Sequence, residues 1–106
     1  MSETEIESRL KKLKGWSYRD GFLVKNFRFK TFMQGIRFVN SVAQLAEEIQ
    51  HHPDIHVRWT NVRLEIQSHD EGGVTSRDFN LAGKIEKMIG EKEKGKSSKT
   101  KIEKRL

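Results

Sequence analysis

The chain has 106 residues and no cysteine, which fits one domain and removes disulfides, thiolate nucleophiles and thiolate metal sites. Apolar and charged residues each make up 34%, and no apolar run approaches the roughly 18 residues of a membrane span. The net charge of +6 sits mostly at one end: residues 91–106 carry seven Lys or Arg against three Glu, so we expect a basic, flexible or helix-extending tail after a domain of residues 1–90.

The start, MSETEIESRL, is acidic and polar where a secretory signal is basic and then apolar, so the expected compartment is the cytoplasm, with no membrane partner. Ser2 or Thr4 can cap a first short helix in which Ile6, Leu10 and Leu13 share a face and Gly15 closes the segment. Asp20–Gly21 then lies between two runs rich in aromatic and β-branched residues, the pattern of a tight hairpin. Leu23, Lys25, Phe27 and Phe29 share one parity, with Lys25 the polar exception on a face that should be buried.

Thr31 can cap a long helix. Its apolar stripe reads as Phe32, Ile36, Val39, Ala43 and Ala46 beside Phe38, Val42, Leu45 and Ile49, and Pro53 should end it near His51 and His52. Two alternating segments follow, one with Ile55, Val57 and Trp59 on a common face and one with Val62, Leu64 and Ile66, joined by a turn at Thr60–Asn61. Thr75 and Asp78 then read as a capping box opening a last helix lined by Phe79, Ala82, Ile85 and Met88 or Ile89. The order α-β-β-α-β-β-α predicts an α+β fold, a four-stranded antiparallel sheet with helices packed on one face.

Three of the four histidines fall within Glu47–Trp59. His51 and His52 sit at a helix C-terminus, where imidazoles can cap carbonyls or exchange protons near neutral pH, and a pair can hold an acid and a base side by side. His69, expected at the end of the last strand before a flexible DEGG loop, is either a third proton-exchanging group or a surface turn residue. A metal site is the sharper rival, but the step from His52 to His56 crosses Pro53 and lacks helical ligand spacing, so no metal is expected. His56 alternates with apolar neighbours and reads as a sheet-surface residue. Glu47, four positions before His51, should share its helix face and orient its ring.

Glu47, three residues, His51–His52–Pro53, five residues, Trp59, nine residues, His69, eight residues, Asp78: this spacing resembles the signature of the pterin-4a-carbinolamine dehydratases. The likeness extends to KGW at Lys14–Trp16, the FRFKTF run and Leu81–Ala82, covering about residues 6–90. It implies a hydro-lyase that needs no cofactor and eliminates water from a 4a-hydroxytetrahydropterin to give quinonoid dihydropterin, in tetrahydrobiopterin recycling. By resemblance His51 and His69 match proposed general acids and His52 a proposed base and substrate contact. The resemblance implies that Glu47, Gln50, Pro53, Trp16, Ser68 and Asp78 bind or orient substrate; for Trp16 a core role, and for Asp78 a cap role, compete with that assignment. Gln50 stands where well-known animal members have aspartate, and Trp59 where they have tyrosine.

The resemblance also implies a homodimer or homotetramer, with a sheet edge carrying Arg58, Arg63 and Glu65 as one place for a second copy. A non-catalytic reading competes with the enzyme: a dimerisation or transcription-cofactor-like module, whose docking face would be Phe38, Val42 and Leu45 if the core leaves them free. Nucleic acid is expected to bind only weakly, through the tail.

Overall fold

The computed structural model describes the backbone of residues 1–98 and the side chains of residues 1–90. Three helices and four strands follow in the order α1 (Glu3–Leu10), β1 (Ser17–Arg19), β2 (Phe22–Arg28), α2 (Phe32–Ile49), β3 (Asp54–Arg58), β4 (Asn61–Ile66) and α3 (Ser76–Ser98). A 3-10 turn, His69–Glu71, lies between β4 and α3. The fold is α+β, and the sheet is antiparallel in the order β1-β2-β4-β3. Helix α3 runs past residue 90 to Ser98, and the rest of the expected tail, residues 99–106, lies outside the described residues. Among the described residues no helix is long and apolar enough to cross a membrane.

Local chemistry sets most element boundaries. Ser2 caps α1, its hydroxyl accepting from the Glu5 N–H while Glu5 reaches back to the Ser2 N–H. The helix ends at Leu10, short of Gly15, and the chain reaches Trp16 through turn hydrogen bonds from Leu13 and Trp16. Arg19 pairs with Phe22 across the two-residue turn Asp20–Gly21, whose φ angles of 51° and 86° are both positive, a geometry that Asp-Gly tolerates. Thr31 caps α2 by accepting from the Gln34 N–H at 3.1 Å.

Strand register sorts the side chains into two faces. Leu23, Lys25 and Phe27 oppose Ile66, Leu64 and Val62, and Ile55 and Val57 stand beside Leu64 and Val62 on the same face. All three helices pack there, since Ile6, Phe38, Val42, Phe79, Leu81, Ala82 and Ile85 join Leu23, Phe27, Val62, Leu64 and Ile66 in one core. On α2 the buried stripe is Gly35, Phe38, Val42 and Ala46, narrower than the periodicity suggested. Phe32 and Ala43 are exposed and Ile36 only half-buried. Gly35 marks the close approach of α2 to the sheet: a Cβ there would lie 3.4 Å from both Phe29 and Val62. The proposed docking face is consumed by this packing, with Phe38 and Val42 buried and Leu45 packed against the core.

Two strand expectations are corrected. Arg58 pairs with Asn61, so the β3–β4 turn is Trp59–Thr60, one residue earlier than read; Trp59 takes a φ of 52°, leaves the strand parity and is 77% exposed. Arg63 and Glu65 lie on the interior strand β4, where they pair with each other at 2.9 Å, so of the three charges read at a sheet edge only Arg58 is on one. That pairing, with His56 at 3.2 Å, holds the Glu65 carboxyl below the usual carboxylate range.

Candidate active site

The C-terminus of α2 leaves the helix abruptly. Gln50 adopts left-handed geometry (φ 55°, ψ 46°), and the His51 N–H bonds back to the Ala46 carbonyl at 3.0 Å, closing a Schellman-type turn. The Gln50 side-chain amide donates to the Glu47 carbonyl at 2.7 Å, satisfying another carbonyl of the last turn. The reversal swings His51 inward and leaves His52 outside, followed by the half-buried Pro53 that leads into β3.

His51 is 7% exposed and its Nε2 lies 2.6 Å from Oδ1 of Asp78, which is fully buried. The other Asp78 oxygen accepts from the Thr75 N–H at 2.7 Å and from the Ser68 hydroxyl at 2.9 Å. Three donors therefore surround a carboxylate that would otherwise be costly to bury. Ser68, 1% exposed, is 2.9 Å from the Thr75 hydroxyl, which itself accepts from the Arg77 N–H at 3.2 Å. Half of the capping box forms as read, the Asp78 carboxylate taking the Thr75 N–H, while the Thr75 hydroxyl takes the N–H of Arg77 rather than of Asp78; the same carboxylate orients a histidine of the candidate site.

Glu47 does not orient His51. The four-residue relation assumes that the helix continues to residue 51, but it ends at Ile49, and Glu47 Oε2 instead meets His52 Nε2 at 2.6 Å. Both side chains are largely exposed, at 72% and 56%, so this pair adds little stability and serves mainly to hold the His52 ring.

His69 opens the 3-10 turn rather than ending a strand; β4 stops at Ile66, and Ser68 bridges to Gly73. Its exposed ring stands edge-on to Phe22, with centroids 5.9 Å apart. The loop expected to be flexible is pinned: Arg77 Nη1 donates to Asp70 at 3.2 Å and to Glu71 at 3.0 Å, while Nη2 approaches His51 Nδ1 at 3.1 Å. The guanidinium holds the Asp70 carboxyl below its usual value, and the two carboxylates raise the Arg77 pKa in return.

Arg77 was missed in the sequence, although a signal was present. A cation in the first turn of a helix opposes the macrodipole, so an arginine there calls for carboxylate partners.

Trp16 is not brought to the histidines. It is 6% exposed, packs edge-on against Phe27 with centroids 6.1 Å apart, and donates its indole N–H to Glu86 at 2.8 Å. Lys25 reaches the same Glu86 oxygen at 2.7 Å, which explains the polar exception on the buried face. Glu86 lies eight residues after Asp78 on α3, about 12 Å along the helix.

Residues 1–88 match the family model described as pterin 4 alpha carbinolamine dehydratase, more than four-fifths of the chain. The chain belongs to the pterin-4a-carbinolamine dehydratase family. A Sulfolobus acidocaldarius protein provisionally named pterin-4-alpha-carbinolamine dehydratase is 46% identical over 88 residues, spanning 83% of this chain and 97% of that protein. One from Roseiflexus castenholzii, named in the same way, is 44% identical over 89 residues, spanning 84% and 96%. Among solved structures, a transcriptional coactivator/pterin dehydratase from Brucella melitensis is similar with a TM-score of 0.77 at 31% identity, covering 81% of this chain and 94% of that one. A pterin dehydratase-like protein identified as a RuBisCO assembly factor in the alpha-carboxysome shares the fold alone, at 24% identity and a TM-score of 0.57, covering 71% and 87%.

Proposed function

We propose that this chain is a hydro-lyase that eliminates water from a 4a-hydroxytetrahydropterin by histidine acid/base catalysis, with no cofactor or metal, in tetrahydrobiopterin recycling in the cytoplasm. The observation that carries this reading is a buried His51, anchored on Asp78 and linked through Arg77 to Asp70 and Glu71 of the turn that His69 opens, followed directly by the exposed His52, in a chain of this family. In the reaction an imidazolium gives its proton to the 4a-hydroxyl, the C4a–O bond breaks and water departs. A neutral imidazole takes the N5 proton, and the N–H electron pair becomes the N5=C4a double bond of the quinonoid product. His52, steadied by Glu47, is the proposed base and substrate contact, and His69 the acid open to solvent. His51 is the third member and Gln50, Pro53, Ser68 and Asp78 shape the corner that carries it. Trp16 supports the fold at a distance and is not assigned a substrate contact.

A second reading is a non-catalytic dimerisation or transcription-cofactor-like binding module, for which the support is the word coactivator in the description of the Brucella melitensis relative, itself also described as a dehydratase. A homodimer or homotetramer is compatible with either. The discriminating assay follows the decay of a 4a-hydroxytetrahydropterin generated in situ by an aromatic amino acid hydroxylase, with and without a chelator. Wild type should accelerate the decay in both buffers and His52→Ala should not, while circular dichroism shows the variant folded. No acceleration by folded wild type would overturn the enzyme reading and leave the binding module.

A further inference from the structure

We propose that Arg77 is a positioning residue: together with Asp78 it engages both ring nitrogens of His51 and holds the tautomer with Nδ1 as acceptor, and it ties the turn bearing His69 to the end of α2. The kinetic consequence rests on the dehydratase reading above; the tautomer does not.

A guanidinium has five N–H donors and no acceptor, so the nitrogen it faces must present a lone pair. Arg77 Nη2 is 3.1 Å from Nδ1 of His51, and Asp78 Oδ1 is 2.6 Å from Nε2. Only the tautomer with the proton on Nε2 satisfies both neighbours, Nε2–H donating to the carboxylate and Nδ1 accepting from arginine. The other tautomer sets N–H against N–H on one side and a lone pair against a carboxylate on the other. An imidazolium would keep the Asp78 bond but bring a second donor against Arg77.

The same guanidinium is held from the other side by Asp70 and Glu71, so one side chain bridges the 3-10 turn, α3 and the corner after α2. The Arg77 side chain is 44% exposed, which limits what each ion pair contributes to stability and makes orientation the main effect. The His51 side chain is 8% exposed with both nitrogens engaged, so it cannot pass a proton to substrate without first releasing a partner. His51 thereby fixes the backbone corner from which His52 projects.

Two readouts test this on the full chain. Long-range proton–nitrogen spectra of wild type in mildly alkaline buffer should show His51 with a pyridine-like Nδ1 and a pyrrole-like Nε2–H. Arg77→Met removes the hydrogen bond that Nδ1 accepts and should shift its nitrogen resonance, while Asp78 keeps the proton on Nε2; Arg77→Lys, which retains a charged donor group, should restore much of the wild-type signature. In the decay assay Arg77→Met should lower kcat roughly ten- to a hundredfold with a smaller change in KM, as expected when reacting groups lose alignment, and Arg77→Lys should recover part of it. A protonated Nδ1 in wild type, or an unchanged His51 signature in a folded Arg77→Met, would overturn the inference. An inactive wild type with the Nε2–H signature would overturn the dehydratase reading and uphold the tautomer lock.

Discussion

Asp78→Asn isolates the contribution of the buried carboxylate without changing side-chain size. Asp78 is fully buried and accepts from the Thr75 N–H, the Ser68 hydroxyl and His51 Nε2. An asparagine keeps one acceptor oxygen. Placed on the Thr75 and Ser68 side, it turns its NH2 toward His51, which must then move its proton to Nδ1 and meet the Arg77 donor. Flipped, it leaves Thr75 facing a donor instead. Either way one charge-assisted bond, about 1.5–3 kcal/mol, is lost and a buried donor is opposed, so the sum is about 3 kcal/mol. For a domain of this size that is a fall in Tm of roughly 15 °C. Thermal melts at one fixed protein concentration would measure it, because assembly also moves Tm. Ser68→Ala is the control: Oδ2 keeps the Thr75 N–H and no buried donor is set against another, so the cost should be about 1.5–2 kcal/mol. An Asp78→Asn loss under ~0.5 kcal/mol, or one smaller than that of Ser68→Ala, would refute the reasoning.

Gln50→Gly should leave stability unchanged or raise it by up to about 1 kcal/mol, since glycine adopts left-handed geometry without a Cβ clash, whereas Gln50→Val should lower it; urea melts distinguish the two. Glu86→Leu removes the acceptor of both the Trp16 indole and the Lys25 ammonium, and should cost about 1–3 kcal/mol by the same measurement. The Asp70 carboxyl titrates below the ordinary aspartate value because Arg77 favours its charged form. The stabilising pair is therefore complete above the unfolded value and is lost as pH falls through the lower folded one. Carboxyl-detected NMR should show that depressed midpoint returning to normal in Arg77→Met; an unshifted wild-type midpoint would contradict the geometry.

Features set by neighbours a few residues apart were legible in the sequence. Ser2 and Thr31 cap their helices, Asp20–Gly21 makes its hairpin, and Thr75 with Asp78 opens α3, because each depends on bonds spanning two to four residues. The alternation of Val62, Leu64 and Ile66 likewise predicted its buried face, since the pleat has a fixed period of two. The spacing of Glu47, His51, His52, His69 and Asp78 was enough to indicate the family.

The partners of those residues were decided elsewhere. Glu47 meets His52 because Gln50 turns left-handed, Trp59 leaves its strand because the turn forms a residue early, and Trp16 is drawn inward by Phe27 and Glu86. The bonds His51 makes span 27 and 26 residues, to Asp78 and Arg77. They exist because the shared core brings the N-terminus of α3 against the C-terminus of α2, and which imidazole is buried, which is exposed and which nitrogen faces a donor are consequences of that docking rather than of any local pattern.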